Sequence, residues 1–478
     1  MAKDLPGFYF DIERNRYFPL SSRPSPVIAE GSSTQRNALL HKRPCVETEP
    51  WPTTTPSAIV HRTRNLLSSE ALNQRILNSQ INLVTQGRSL LNHEVQCSRL
   101  ASTSRFDFSQ TASFGNITEF CSATSEDGLT RRYIGDDKGW FYTCTVYSDV
   151  SSDNRLQDLN HYPPIETPSA QMYMWPPEIN LHSLSQVSSI KISGHNCVTT
   201  CFGPVTKVAV QDLHASGRTT LITFNQVHDV RASHFQDSTL ILGAKGKAVH
   251  IPNIDVSGSV QYLNNPQNSD IFAVDRDKNL VYTGARNGSI TRHDLRVPSE
   301  KNGQWLFQSR FSAGKDNTVP SSVLYLKLVQ DSQLLVSQMN GELCTYDTRF
   351  PMKNTPSRIF RGHRNSVTQK LGICLDPGND FIFAAGEDHR IRGWSLRTGK
   401  ALHDDSSASA SASATSISMA SSSSCSSWNQ FRSPFKTSFP TPVPTMQVTE
   451  ERDGSLCLWA GSQQTLYRYF LGQYSKET

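Results

Sequence analysis

The hydrophobic pattern changes character three times along the chain. Residues 1–20 contain an aromatic-dense string, LPGFYFDIERNRYFPL, in which Phe8, Phe10, Tyr17 and Phe18 flank Ile12-Glu13-Arg14-Asn15. That arrangement predicts a small hairpin. A lone hairpin is marginal in water, so its aromatics need a surface to pack on, either the rest of the chain or a partner. Residues 21–63 are rich in Pro, Ser, Thr and Arg with few apolar positions. Burial there cannot offset the entropy of ordering, and the segment is expected to be disordered. Over 64–92, Leu67, Leu72, Ile76 and Leu83 return at roughly helical spacing. One amphipathic helix is predicted within 64–92, helix and linker together spanning 64–100. Ser68 or Ser69 suits its cap and Glu70 its first turn.

From about 110 the pattern becomes short runs rich in Val, Ile, Thr, Tyr and Phe, separated by turn residues. This predicts an all-β domain over 110–478. Two stretches interrupt it. Residues 148–186, with Tyr162-Pro163-Pro164 and Trp175-Pro176-Pro177, are expected to form a long loop. Residues 404–440 open on a Ser/Ala tract and are expected to be a disordered insertion.

Self-similarity identifies the architecture. NLVYTGARNGSITRHDLR (279–296), QLLVSQMNGELCTYDTR (333–349) and FIFAAGEDHRIRGWSLR (381–397) share one form: apolar strand, turn, second strand, then a polar residue and x-Arg. Asp294, Asp347 and Ser395 stand at matching positions, about 50 residues apart. The third copy adds Arg361-Gly362-His363 before it and Trp394-Ser395 at its end, a GH…WD pattern. RRYIGDDKGWFYTCTV (131–146), Ser193-Gly194-His195, LILGAKGKAVHI (240–251) and GSLCLWA (454–460) are weaker copies. Together they predict a WD-repeat β-propeller of about seven blades, with an N-terminal extension that is largely disordered and contains one helix. In such repeats a buried His, a turn Asp and a Trp indole form a hydrogen-bond chain that locks a blade. His363, Asp388 and Trp394 are the candidates, with Ala384-Ala385 where a hydroxyl usually joins.

Charge and chemistry narrow the function. Forty-seven Lys and Arg against 42 Asp and Glu give a net charge of +5, too mild for an electrostatic grip on nucleic acid, and direct nucleic-acid binding is not expected. The first residues open no apolar run and no stretch reaches a membrane-spanning length. The expectation is a soluble intracellular protein, nuclear or cytoplasmic, with free thiols among its 10 cysteines. No catalytic fingerprint is present. GAKGKAV (243–249) has Gly and Lys at the wrong spacing for a phosphate loop. His195, Cys197, Cys201 and His214 fit no common zinc pattern. No catalytic residue, metal site or cofactor is expected.

The arginines that close the repeats are different. His293-Asp294-Leu295-Arg296 and Tyr346-Asp347-Thr348-Arg349 both read as variants of WDxR, and Trp394-Ser395-Leu396-Arg397 as a third. The Asp organises the turn and the Arg projects from one face of the disc. Adjacent blades then set Arg296 and Arg349 side by side, each a fork of donors for carboxylates and carbonyls. The bland alternative is that each Arg only pairs with its own turn.

At this point the chain resembles the WD-repeat substrate receptors of cullin-4 ubiquitin ligases, through its tandem DxR turns and through the opening LPGFYFDIERNRYF with YTGARNGSITRHDLR. The resemblance covers residues 5–18 and most of about 110–400. It implies a non-catalytic receptor that docks on the ligase adaptor, the large subunit of damaged-DNA-binding protein, and presents protein substrates. By carry-over Arg296 and Arg349 are the docking arginines, Asp294 and Asp347 their supporting acids, and Arg397 a weaker copy lacking its Asp. The predicted helix would be an adaptor-contacting element or would cover its own disc. The alternative is a general WD-repeat scaffold, in RNA processing or chromatin assembly.

Overall fold

The computed structural model describes residues 8–11, 16–19, 85–124, 129–146, 173–213, 218–255, 260–298, 302–308, 310–312, 318–351, 355–403, 433–451 and 454–473. The chain divides after Gln74 into two units. In the first, Phe8–Asp11 and Arg16–Pro19 pair antiparallel, with Phe8 opposite Pro19 and Phe10 opposite Tyr17. The predicted hairpin is therefore present in the backbone. The turn expected at Ile12–Asn15, the segment 21–63 and His214 lie outside the described residues.

The second unit is a seven-bladed β-propeller. Blades one to five begin with innermost strands Ile117–Thr124, Gln186–Ser193, Ala232–Gln236, Ile271–Asp277 and Val323–Val329, and each adds three further antiparallel strands outward. Blade six has Ile373–Leu375, Phe381–Ala385 and Ile391–Ser395, with a single bridge from Trp394 to Ala401 in place of a fourth strand. Blade seven closes the ring. Its inner three strands, Thr445–Glu450, Ser455–Ser462 and Thr465–Gln473, come from late in the chain, and its outermost strand is Arg105–Thr111 from before blade one. Arg105 stands opposite Phe470 and Thr111 opposite Thr465.

Burial follows radial position. Second strands are covered on both faces by neighbouring blades: every residue of Thr239–Ala244, Phe381–Ala385 and Ser455–Ser462 is buried. Outer strands are half-solvated, as Thr219–Phe224 shows. This explains why the second strands read as continuous apolar runs while the outer ones are faint. Blade-to-blade packing also demands small residues. A Cβ on Gly243 would lie 2.8 Å from Val274 Cγ2 of the next blade, and one on Gly461 would lie 2.8 Å from Ile117 Cγ2 across the closing seam. Gly135 and Gly284 meet Val187 and Val323 in the same way.

Helix α1 (Thr85–Thr103) lies against the seam of blades six and seven. The sequence placed a helix earlier, within 64–92, and residues 64–84 lie outside the described part. The stretch to 103 is helical because buried His93 and Leu100 and half-buried Cys97 share one face at helical spacing. Two of these are not conventional core residues, which hid the periodicity. Leu100 joins a cluster with Phe383, Leu402, Phe435 and Tyr469.

Two boundaries need correction. The expected loop 148–186 contains the outermost strand of blade one, Pro177–Asn180, which pairs with Trp140–Tyr142. The expected disordered insertion 404–440 ends in an ordered segment. Pro434–Lys436 forms a 3-10 turn, and Phe435 and Phe439 are buried in the core. Aromatics on that short stretch outweigh its Ser- and Pro-rich composition.

Candidate functional site

Blades four and five carry a duplicated turn. After the third strand Ser289–Asp294, Asp294 Oδ1 accepts the Arg296 backbone N–H at 3.1 Å and its Nε–H at 2.9 Å, while Oδ2 accepts Nη2 at 2.6 Å. After Leu343–Asp347 the same three bonds recur from Arg349 to Asp347, at 3.0, 2.9 and 2.7 Å. Each turn is tied to the first-to-second strand turn of its own blade, through Leu295 N–H to Asn279 O and Thr348 N–H to Ser332 O. The two motifs therefore occupy equivalent places on one face of adjacent blades.

The side-chain hydrogen bond from Arg296 holds the Asp294 carboxyl down at about 2, so it is ionised under all ordinary conditions. The pairing within each turn is as the bland alternative expected, yet the arginines stay available. Their side chains are 69% and 65% exposed. A guanidinium offers five N–H donors in a fixed fork, and each Asp engages only Nε and Nη2. The carboxylate thus pre-sets each fork without consuming it. The residue after each arginine is apolar and exposed, Val297 and Phe350, and the Arg349 guanidinium lies 5.7 Å from the Phe350 ring.

Blade six departs from this. With Ser395 in place of the acid, Arg397 Nε donates to Asp380 Oδ1 at 2.7 Å, in the first-to-second strand turn. Ser395 Oγ accepts the Thr398 N–H at 3.0 Å and bonds His93 Nε2 of α1 at 2.6 Å.

The expected chain through His363, Asp388 and Trp394 does not form. His363 bonds the carbonyls of Gly341 and Ala385, both at 3.2 Å, and Trp394 Nε1 donates to Arg361 O at 2.9 Å. Asp388 instead binds Arg392 through both oxygens, at 3.0 and 2.6 Å. Arg392, four residues on, draws the acid away from the histidine. His363 and Trp394 still touch edge to face, with centroids 6.4 Å apart, and burial lowers the pKa of the histidine. In blade four Thr283 Oγ1 meets His293 Nε2 at 3.1 Å, and burial pushes His293 down to about 4.

The other chemistry weighed from sequence resolves into structure. Ser193-Gly194-His195 lies in the first-to-second strand turn of blade two, not between blades, so its His is not a blade lock. GAKGKAV spans the turn between Thr239–Ala244 and Lys247–Ile251, and the Gly246 N–H that a phosphate would need goes to Asp270 Oδ1 at 3.0 Å. Among the described residues no three His, Cys, Asp or Glu side chains converge as a metal site. No described helix is long and apolar enough to cross a membrane.

Sequence reasoning missed two features. One is a buried arginine, Arg132, which is 1% exposed, ion-paired to Glu451 at 2.9 Å and held between the rings of Trp459 and Tyr173 at 4.5 and 4.9 Å. The other is the axial channel, a cavity of about 510 Å³ lined by the innermost strands. In it Asp275 accepts Lys327 Nζ at 3.0 Å and lies 3.2 Å from His234 Nδ1.

No protein-family model matches the chain. It is 33% identical over 127 residues to an uncharacterised WD-repeat-containing protein of Caenorhabditis elegans, across 26% of this chain and 21% of that one. It is 31% identical over 121 residues to WD-repeat-containing protein 21 of Schizosaccharomyces pombe, across 24% of this chain and 26% of that one. The aligned stretches thus span about a quarter of each relative. Among solved structures, the WD40 β-propeller domain of Doa1 aligns over 78% of this chain and 98% of its own, with 14% identity and a TM-score of 0.49.

Proposed function

We propose that this WD-repeat propeller is the substrate receptor of a cullin-4 RING ubiquitin ligase. It docks on the adaptor, the large subunit of damaged-DNA-binding protein, and does no ubiquitin chemistry itself. One observation carries the reading: Arg296 and Arg349 sit at equivalent positions of adjacent blades, exposed, each aimed by its own carboxylate. Two pre-set forks at a fixed separation suit two acceptors on a rigid partner surface, and pre-organisation lowers the entropic cost of docking. Val297 and Phe350 add apolar area beside them. The opening string at 5–18 supports the same assignment by resemblance. Arg397 is a lesser contributor, since its guanidinium is drawn to Asp380 and is 41% exposed.

The test is co-purification of the full chain with the adaptor. Wild type is expected to bind, and the double variant Arg296→Ala/Arg349→Ala to lose binding. Because both arginines are exposed, the double variant is expected to melt with the parent. If wild type does not bind, or if the double variant binds equally well, the chain is a scaffold outside these ligases.

A further inference from the structure

The outermost strands of the blades form the rim of the disc, and among the described residues each pairs on one side only. Such an edge recruits other strands unless it is short or broken by proline, charge or a bulge. Most of this rim is blunted in those ways. Pro177–Asn180 of blade one opens on Pro177-Glu178. Gln261–Leu263 and Arg358–Ile359, in blades three and five, have three and two residues. In blade four, Gly303–Gln308 is bulged against Ser289–Asp294, with the register shifting between Ile290 and Thr291. Blade six has only its bridge at Ala401. Arg105–Thr111 of blade seven carries Arg105 and Asp107 and a bulge between Phe106 and Phe108.

Blade two is the exception. Its outermost strand, Thr219–Phe224, reads Thr-Thr-Leu-Ile-Thr-Phe, six β-forming residues with no charge, proline or glycine. It pairs in unbroken register with the third strand, from Thr206 opposite Phe224 to Gln211 opposite Thr219. Just beyond, Asp212 N–H donates to Arg218 O at 3.1 Å. The alternation of an antiparallel ladder then turns the backbone N–H and C=O of Thr219, Leu221 and Thr223 away from the blade. Among the described residues no partner takes these groups. The Leu221 side chain is also 41% exposed.

The edge is complementary to itself. In an antiparallel pair of copies, outward-turned residues must face outward-turned residues. The register that uses all the free groups of both copies is centred on Leu221. It sets Leu221 against its copy, Thr219 against Thr223 and Thr220 against Ile222, and such aliphatic and β-branched pairs stabilise a sheet. Arg218, the nearest charge in sequence, falls opposite Phe224 and not opposite its own copy, so no like charges meet. We propose that this strand is a self-association edge, through which two copies of the chain join their second blades into one continuous sheet about a two-fold axis. The surface lies on the rim, apart from the turns of Arg296 and Arg349, and does not depend on adaptor docking.

Sedimentation of the full chain over a range of concentrations tests this. Wild type is expected to pass from monomer to dimer through the micromolar range, as a small edge-to-edge interface implies. Leu221→Lys and Leu221→Glu each set two like charges face to face, and each is expected to weaken self-association at least about tenfold. An equal mixture of the two variants opposes Lys to Glu and is expected to recover the dimer. Both substitutions replace an exposed side chain, so both variants should melt with the parent and keep adaptor binding, and the two proposals fail separately. A wild type that stays monomeric throughout that range overturns the edge, and a strand from a different protein as its occupant would give this outcome. Dimers whose strength ignores both substitutions also overturn it, as does a mixture no more dimeric than its components.

Discussion

Ser395 Oγ, at the position where blades four and five carry aspartate, is hydrogen-bonded to His93 Nε2 of the helix at 2.6 Å. The departure of blade six from the DxR pattern is thus the docking point of α1. His93 also stacks on Phe381 at 5.3 Å, with the planes 12° apart. His93→Ala is expected to destabilise the protein by about 1–3 kcal/mol through the lost bond and ring contact. Amide exchange in α1 should quicken while the second strands of the blades keep their rates. Unchanged exchange in the helix would mean that the contact is incidental.

Ring closure rests on Arg105–Thr111. Removing residues 1–84 should leave a folded propeller, because no described strand of the ring comes from there. Removing residues 1–111 takes away the outermost strand of blade seven and exposes the edge of Thr465–Gln473. That truncation is expected to be insoluble or to lose cooperative melting. A monomeric, cooperatively melting product would show that the closing strand is dispensable.

Acid should weaken the fold through its buried histidines. Burial lowers His293 from 6.5 to about 4. Above pH 6.5 both folded and unfolded states hold it neutral. Between 6.5 and 4 the unfolded state binds a proton that the folded state refuses, so stability falls as pH falls and levels off below 4. The full loss is on the order of 3 kcal/mol for this one group. His293→Gln should flatten the urea midpoint over that window relative to wild type. Parallel profiles would sink the assignment.

Arg132 depends on one carboxylate. Glu451→Ala leaves a buried guanidinium with ring contacts only, and is expected to cost about 3–5 kcal/mol by urea unfolding. Adding Arg132→Met to that variant should restore part of the loss, since the charge goes with the guanidinium. If the second substitution makes matters worse, the rings and not the ion pair hold the site.

The hairpins at 131–146, 240–251, 279–296, 333–349 and 381–397 were legible because they pair second and third strands, which lie sandwiched and so must be apolar. Innermost and outermost strands are partly wet, and their weaker patterns left the blade boundaries unread. Gly135, Gly243, Gly284 and Gly461 recur late in second strands, a signal that was available and unused. The paired turns at Arg296 and Arg349 were readable from spacing alone. Arg132 was not, because its setting depends on Glu451, Trp459 and Tyr173, all distant from it in the chain. The misread lock at Asp388 shows the limit of motif logic, where an arginine four residues away decided the partner.

The closing seam also sets a timetable for biosynthesis. Arg105–Thr111 leaves the ribosome before the other described strands of the ring, yet its partner Thr465–Gln473 is made after all of them. Throughout translation the nascent chain carries an unpaired leading strand and a growing arc with two open flanks, the kind of surface that invites aggregation or chaperone capture. A chain terminated before Thr465 therefore gives an arc that lacks its sealing strand pair, not a smaller disc.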